Sequence, residues 1–378
     1  MKGAGDTGGL PWDATRIPEL CTRRAEWLRG EGQAADVVMS SRVRLARNLD
    51  GIRFMPRADR GEREKVLGLS KAAILDAGLS PRMLWVDLHE TGKAERSLLV
   101  ERQLISRPHA RGKLSTGSGG VDEPRGVAVG LPSEQFSIMV NEEDHLRIQA
   151  MRSGLGLAEA WQHADGIDDE LDRRLGYAFS DRFGYLTACP TNIGTGARFS
   201  VMLHLPALKM TSEIEKVRQA AQDMGLAVRG FYGEGSEAFG DFFQLSNQVT
   251  LGRSESELLR VMQREIVPKV VEYERRARDV LLSTRRRSTE DQVYRAVAML
   301  RSARLLTVEE AMNGLSRARL GVQVGLVSDL DLDAMSWLVL RIQNAHLELA
   351  VKEANDPMAR NGARADLVRT TLAAPGED

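Results

Sequence analysis

The chain has 378 residues, of which 42% are hydrophobic and 28% are charged, and its formal net charge is −1. This composition is typical of a globular protein long enough for two domains, and the near-neutral charge argues against a general nucleic-acid or membrane-surface binder. The two cysteines have no metal-ligand spacing, the N-terminal segment lacks the apolar core of a signal peptide and no apolar run could span a membrane, so we expect a cytoplasmic protein.

The first third of the chain predicts a mixture of helices and strands. A short helix is predicted over 15–29, and 36–48 is a β-rich run that ends in alternating basic residues. A second helix is predicted over 58–77, with an apolar stripe made of Val66, Leu67, Leu69 and Ile74. The remaining short elements are assigned to a mixed sheet, around a flexible loop at 112–126, and cover 83–88, 96–104, 127–131 and 136–140.

Residues 136–151, FSIMVNEEDHLRIQAM, predict two strands joined by an acidic turn. A mostly apolar run leads into Asn141-Glu142-Glu143-Asp144-His145, after which apolar and polar residues alternate. Three consecutive carboxylates repel one another, so this turn is costly unless a cation lies beside it. A solvated acidic turn is the simpler alternative.

The later elements change in character near residue 252. A helix over 157–175, strands at 185–188 and 199–204, a helix over 213–224 and strands at 227–232 and 242–251 continue the mixed pattern. From residue 255 onward only helical periodicity is found, over 255–283, 288–303, 307–317, 330–352 and 361–371. We therefore expect an N-terminal segment at 1–35, an α/β domain at 36–252 and an all-helical domain at 253–378.

Arginines in four places could bind an anion. The sequence has neither a P-loop nor a G-x-G-x-x-G after a strand, so a phosphate site would depend on other groups. Arg42 and Arg44 share one face of an extended segment, while Arg147, Arg198 and Arg229 each lie beside a strand end or a glycine-rich turn. The planar guanidinium binds phosphate oxygens in pairs and keeps its charge. Singly, each is more simply a surface arginine.

Four motifs resemble one known family. NEEDHLR at 141–147, CPTNIGTG at 189–196, SSRVRLARN at 40–48 and RGFYGEGSEAFGDFFQLSNQ at 229–248 resemble the phosphagen (ATP:guanido) kinases, most closely their bacterial branch, the protein-arginine kinases. The resemblance implies an α+β fold with an antiparallel-sheet catalytic domain flanked by helices and followed by an all-helical domain. It also implies transfer of the γ-phosphoryl group of ATP, with Mg²⁺, to a guanidinium nitrogen.

That chemistry agrees with the residue types in the acidic turn. A guanidinium is protonated at physiological pH, so carboxylates must orient it and accept its proton. The resemblance implies that Glu143 is the base and substrate clamp, with Glu142 beside it, and that Glu234, rather than Glu237, supplies a second carboxylate. Cys189 matches an active-site cysteine with a supporting role, although a small buried hydrophobe is an equal alternative.

The resemblance also implies a nucleotide site and a regulatory site. The Mg²⁺ ion would be held by ATP oxygens with few or no protein ligands. The residues implied for the nucleotide are Ser40, Ser41, Arg42, Val43, Arg44, Arg147, Arg198, Phe199, Ser200, Val201, Met202, Arg229, Gly230, Phe231, Tyr232, Gly233 and Glu234. The residues implied for an allosteric phosphoarginine are Arg360, Asn361, Arg364 and Ala365, where asparagine replaces the aspartate of the family motif RDxxRA.

Two further departures bear on the substrate and the nucleotide. Tyr232 stands where kinases of free guanidines carry an arginine, and Gln103 replaces a histidine that is usual in the family. The short segment before residue 36 leaves no room for the helical domain that closes over a free guanidine in small-molecule kinases. Both the tyrosine and the short segment favour arginine side chains of proteins as substrate.

Two other functions remain as alternatives, namely a kinase of free arginine or another small guanidine and a weakly catalytic phosphoarginine-binding scaffold. The resemblance further implies a homodimer, a Clp-type unfoldase and a zinc-binding adaptor as partners.

Overall fold

The computed structural model describes residues 14–112, 123–230, 239–351, 354 and 356–373. At its centre is an eight-stranded sheet in which every neighbouring pair is antiparallel. The strands are β1 (Val38–Arg47), β2 (Arg82–Asp87), β3 (Gly126–Leu131), β4 (Phe136–Val140), β5 (Leu146–Ser153), β8 (Ala197–His204), β9 (Leu226–Gly230) and β10 (Phe242–Asn247), while β6 (Phe179–Ser180) and β7 (Gly184–Tyr185) form a separate hairpin. Their order across the sheet is β2-β3-β4-β5-β1-β8-β10-β9.

Helices cover both faces of this sheet and make up the last third of the chain. Those interspersed with the strands are α1 (Arg60–Asp76), α2 (Lys93–Glu101), α3 (Arg107–Arg111), α4 (Leu157–Leu175), α5 (Pro206–Met210) and α6 (Ile214–Asp223). After the last strand come α7 (Glu255–Arg260), a π-helical turn (Val261–Ile266), α8 (Val267–Thr284), α9 (Arg286–Ser302), α10 (Val308–Gln323), α11 (Leu332–Arg341), α12 (Asn344–Ala350) and α13 (Pro357–Thr371). Short 3-10 helices occupy Ala14–Thr22, Glu26–Leu28, Pro190–Asn192 and Phe239–Asp241.

The two faces of the sheet differ because side chains alternate along each strand. On one face, Val43 and Leu45 of β1 and Phe199 and Val201 of β8 are buried in a hydrophobic cluster that also includes residues of α1, α4 and α8. On the opposite face, a second cluster joins the β2–β3 edge to α2 and to helices α9–α13. The centre of that second face carries polar side chains, Arg44 and Gln149 among them, which line a cavity.

The described helices after residue 252 share both hydrophobic clusters with the sheet. Leu281 of α8 belongs to the first cluster together with Phe199, and Leu338 of α11 belongs to the second cluster together with Val127. The division of the chain into two domains at residue 252 stays a prediction. Among the described helices, none is both long and apolar enough to cross a membrane.

Several expectations about local structure were wrong. Residues 96–104 were expected to be part of the sheet, but Lys93–Glu101 is a helix that buries Leu98 and Leu99. The sheet is antiparallel throughout rather than mixed, and the strand expected at 185–188 is limited to Gly184–Tyr185. Leu69 of α1 is 44% exposed, so the buried stripe of that helix is narrower than predicted.

Candidate active site

A row of basic side chains crosses the polar face of the sheet. In the register of the strands, Arg44 of β1 lies opposite Gln149 of β5 and Arg198 of β8. Arg229 of β9 lies opposite Gln244 of β10. Directly opposed residues in antiparallel strands project to the same face. The strand order therefore places arginines from three distant segments of the sequence on one surface.

These arginines and the acidic turn line one cavity of about 840 Å³. Its charged side chains are seven arginines and two glutamates, so the lining is strongly cationic. The charged lining residues are Arg42, Arg44, Arg107, Arg111, Arg147, Arg198, Arg229, Glu142 and Glu143. Cys189, Asn192 and Gly196 of the loop before β8 line the same cavity.

The two glutamates of the turn have different surroundings. Glu142 is buried, and its carboxylate accepts from the Ser106 hydroxyl at 2.8 Å and from the Glu143 amide at 2.7 Å and pairs with Arg147 at 2.7 Å. Burial alone would raise the pKa of Glu142, but the Arg147 charge, followed by His109 and the Ser106 hydrogen bond, outweighs it and lowers that pKa. Glu143 pairs with the other Arg147 nitrogen at 2.9 Å and is 36% exposed. Glu143 is therefore the carboxylate that can reach a ligand.

Arg147 supplies the cation that the turn was predicted to need. Its guanidinium spans Glu142 and Glu143, so the repulsion between these two carboxylates is offset within the turn. Burial on its own would lower the pKa of Arg147, but the neighbouring carboxylates of the turn raise it. The prediction of a cation beside the turn is confirmed.

Arg42 and Arg44 are partly buried beside other cations. Burial, followed by the Arg147 and Arg198 charges, lowers the pKa of Arg42 to about 10. Burial, followed by the Arg42, Arg147 and Arg198 charges, lowers the pKa of Arg44 well below its usual value. The Arg44 Nε atom is buried without a hydrogen-bond partner among the described residues. An anion in this cavity would relieve both the repulsion and the unmet hydrogen-bonding capacity, which suits a polyphosphate.

Asp144, the third acid of the turn, fixes the cysteine-bearing loop. Its Oδ1 atom accepts from Asn48 Nδ2 at 2.7 Å and from the Ala188 amide at 2.6 Å, and Ala188 immediately precedes Cys189. The carboxyl group is fully buried, and this burial raises its pKa. Asp144 therefore positions Cys189 relative to Glu143 and does not itself line the cavity.

We expect Asp144→Asn to preserve folding and Asp144→Ala to impair it. A raised pKa means that the folded protein holds the proton more tightly than the unfolded chain, so the ionised carboxylate costs stability above that pKa. Asparagine removes this cost and keeps the Oδ1 acceptor, so Tm should stay level or rise. Alanine leaves the Ala188 amide without an acceptor, which costs about 1–3 kcal/mol. Thermal melts of both variants test this, and a lower Tm for the asparagine variant would contradict it.

Not every residue expected at the nucleotide site lines the cavity. Val43 and Phe199 face the hydrophobic core, and the Ser41 hydroxyl donates to the Gly154 carbonyl and accepts from the Gly156 amide. Four others line a separate cavity of about 10 Å³ instead, namely Ser40, Ser200, Val201 and Met202. Gly230 ends β9 and does not line the main cavity. Alternation along β1 and β8 explains why Ser41, Val43, Phe199 and Val201 turn away from the cavity. Ser40, Ser200 and Met202 lie on the same face as the arginines but outside the lining of the main cavity.

The remaining predicted site residues fall into two groups. Phe231, Tyr232, Gly233, Glu234 and Glu237 lie outside the described residues. In α13, Arg364 is fully buried, and its guanidinium donates to the Ile342 and Leu306 carbonyls and to the side-chain oxygens of Asn361 and Asn344, at 2.7–2.8 Å.

Two other residues of the predicted regulatory motif, Arg360 and Ala365, also contact the rest of the protein. Arg360 lies 3.9 Å from Glu348, and Ala365 is buried. The phosphoarginine site at Arg360, Asn361, Arg364 and Ala365 stays a prediction.

The structure adds lining residues that sequence reasoning did not identify. They come from α3 and the residue before it, from the sheet and from the end of β10, and are Ser106, Arg107, Arg111, Gln149, Gln244 and Gln248. The period-two spacing from Arg147 could have indicated Gln149. The others depend on which strands and helices become neighbours, which the local pattern does not reveal.

Comparisons with known proteins give a consistent assignment. Residues 71–277 match the family model described as ATP:guanido phosphotransferase, C-terminal catalytic domain, and residues 286–378 match the model described as protein-arginine kinase McsB C-terminal domain. The protein-arginine kinase of Halothermothrix orenii is 41% identical over 92% of this chain and 96% of its own length. That of Symbiobacterium thermophilum is 41% identical over 94% of this chain and 99% of its own length.

Two solved structures share the fold. A lombricine kinase structure covers 68% of this chain and 75% of its own length with 26% identity and a TM-score of 0.53. The duplicated taurocyamine kinase of Schistosoma mansoni, solved with transition-state analogue components, covers 72% of this chain with 26% identity and a TM-score of 0.53, and this chain spans 36% of that protein. The matched family models, the relatives of similar length and the antiparallel sheet with its cationic cavity together show that the chain belongs to the ATP:guanido phosphotransferase family, among the protein-arginine kinases.

Proposed function

We propose that the chain transfers the γ-phosphoryl group of ATP to a guanidinium nitrogen of arginine side chains in proteins, with Glu143 as the general base. The observation that carries this proposal is the shared cavity, in which the partly exposed Glu143 carboxylate lies in the same space as Arg42 and Arg44, whose pKa values are lowered by burial and by neighbouring cations. The carboxylate suits a cationic acceptor, and the arginines suit an anionic donor.

The division of labour follows from the charges. Glu143 would orient the target guanidinium and accept its proton, while Glu142, which is held by three donors, would keep Arg147 and the turn in place. Arg42, Arg44 and Arg198 would bind the phosphates, and Arg229 would lie beside them. Phosphoryl transfer depends mainly on positioning and charge neutralisation, which this arrangement supplies.

The metal and the other implied components follow the same chemistry. Of the described residues, no group of three His, Cys, Asp or Glu side chains could hold a metal ion. A Mg²⁺ ion would therefore enter bound to ATP, since Mg²⁺ is usually held by substrate phosphates and water with only one or two carboxylates. The ion would neutralise part of the phosphate charge. Cys189, whose sulfur lies 3.1 Å from the Thr191 hydroxyl, would support the guanidinium side.

Several features of the cellular setting belong to the same proposal. A cytoplasmic location, a homodimer, a Clp-type unfoldase and a zinc-binding adaptor would fit a protein-arginine kinase.

One experiment distinguishes the three functions. The protein is incubated with Mg-ATP and either an unfolded protein or free arginine, and acid-labile phosphate is located by mass spectrometry. We expect label on arginine side chains of the protein substrate. Label on free arginine alone would favour a small-guanidine kinase, and ATP binding without label on either would favour the phosphoarginine-binding scaffold.

A further inference from the structure

A buried polar network lies directly behind one wall of the cavity. It consists of Glu101 and Arg102 at the end of α2, Glu134 in the turn between β3 and β4, and His346 of α12. Arg102 and Glu134 are fully buried and form a bidentate pair at 2.6 and 2.8 Å. The Glu101 carboxylate accepts from the backbone amides of Ala345 and His346 at 2.8 and 3.0 Å. The network therefore joins the cavity wall to a helix late in the chain.

His346 connects the two ion-pairing residues of α2, and its contacts fix its tautomer. Its Nδ1 atom lies 2.9 Å from Glu101 Oε2, and its Nε2 atom lies 3.2 Å from Arg102 Nη1. A carboxylate can only accept and a guanidinium can only donate, so Nδ1 carries the proton and Nε2 accepts. Burial lowers the pKa of His346, and the Arg102 and Arg341 charges add to this against the opposing effect of Glu101. The neutral imidazole thus satisfies both partners at once.

The residue after Arg102, Gln103, contacts Arg42 in the cavity. Gln103 has a left-handed backbone, with φ of 63°, which is unfavourable for a residue other than glycine. In this conformation its side-chain oxygen accepts from Arg42 Nη1 at 3.2 Å, and its carbonyl accepts from Gln149 Nε2 at 2.6 Å. Three residues later, Ser106 binds Glu142. The strained turn after α2 thus contacts both sides of the cavity.

We propose that Glu101, Arg102, Glu134 and His346 are positioning residues that hold Gln103 in its left-handed conformation and thereby orient Arg42 for the nucleotide. This inference rests on the proposed function, since it concerns how the same cavity binds ATP. A buried ion pair contributes little net stability compared with apolar residues of similar size. A fully satisfied network does, however, impose one geometry on the backbone that carries it, and here that backbone leads into Gln103. Helix α12 is then part of the support of the nucleotide site.

A double-mutant cycle on ATP affinity tests this inference. The dissociation constant of Mg-ATP is measured by calorimetry for the full chain, His346→Leu, Gln103→Ala and the double variant. We expect each single variant to weaken binding by about tenfold, because a small misplacement of a binding group is costly. The double variant should be no weaker than the weaker single variant, because both changes act through the same contact. His346→Gln should largely restore affinity, since its side-chain oxygen can still accept from Arg102.

The possible outcomes separate positioning from a merely structural role. The inference would be overturned if His346→Leu weakened ATP binding equally in the wild-type and Gln103→Ala backgrounds. It would also be overturned if His346→Leu changed the dissociation constant by less than about twofold. If thermal melts show that His346→Leu does not fold, His346→Asn, which can still donate to Glu101, replaces it in the cycle. Glu348→Gln, an exposed change on the same helix, is the matched control and should leave affinity unchanged. Because calorimetry needs no turnover, failure to label protein arginines would refute the proposed function without touching this result.

Discussion

Replacing Glu143 by glutamine is expected to lower kcat by about 10²–10⁴-fold while the affinity for ATP stays close to that of the wild type. The glutamine has nearly the same shape and can still accept from Arg147, but it cannot accept a proton from a guanidinium. Glu143 is the right target because Glu142 is buried and already binds Ser106, Arg147 and the Glu143 amide, whereas Glu143 is partly exposed to the cavity.

The measurement pairs turnover with nucleotide binding. Phosphorylation of an unfolded protein gives kcat, and calorimetry gives the dissociation constant of Mg-ATP for the same preparation. Glu90→Gln, at a carboxylate that is 76% exposed and outside the cavity, is the matched control and should leave both quantities unchanged. Normal turnover in Glu143→Gln would refute the assignment of the base, and a large loss of ATP affinity would show that the residue acts on the nucleotide instead.

Replacing Arg198 by alanine is expected to weaken ATP binding by about 10–100-fold, since a hydrogen bond between charged groups contributes about 1.5–3 kcal/mol. The Tm of the ligand-free protein should rise or stay the same. The Arg198 charge helps to lower the pKa of both Arg42 and Arg44, in addition to the effect of their burial, so its removal relieves repulsion in the empty cavity. Weaker ATP binding together with an equal or higher Tm would distinguish a ligand-binding arginine from one that only stabilises the fold.

Arg198→Lys provides the matched control. Lysine keeps the positive charge but lacks the planar pair of donors, so we expect an affinity between those of the wild type and the alanine variant. Calorimetry with Mg-ATP and thermal melts without ligand give the two quantities. Unchanged affinity in Arg198→Ala would remove this residue from the phosphate site, and a marked fall in Tm would mean that its hydrogen bond to the Asn247 carbonyl, at 3.2 Å, is mainly structural.

Much of the fold was accessible from local sequence patterns. Alternating residues in 136–151 predicted the pair of strands Phe136–Val140 and Leu146–Ser153, and the helical periodicity after residue 255 predicted the run of helices. These predictions succeeded because each pattern reflects which side of one element is buried. The prediction for 96–104 was wrong because a short apolar run such as Leu98 and Leu99 fits a strand and a helix equally well.

The sequence by itself determined the acidic turn, the alternating arginines of the first strand and, through its motifs, the family. It could not assign a separate place to each acid. Only the tertiary structure showed that Glu142 is enclosed, that Glu143 reaches the cavity and that Asp144 turns away to bind Asn48 and Ala188. The three adjacent acidic residues have different environments because their neighbours come from other parts of the chain.

The tertiary structure alone also decided what surrounds the arginines. Arg44 and Arg198 are far apart in sequence and become neighbours because β8 pairs with β1, while α12 reaches Arg102 across more than half of the chain. Such contacts depend on strand order and helix packing, which are set by the burial of apolar surface over the whole molecule. Local patterns therefore specify which side chains are available, and the global packing specifies which of them meet in one cavity.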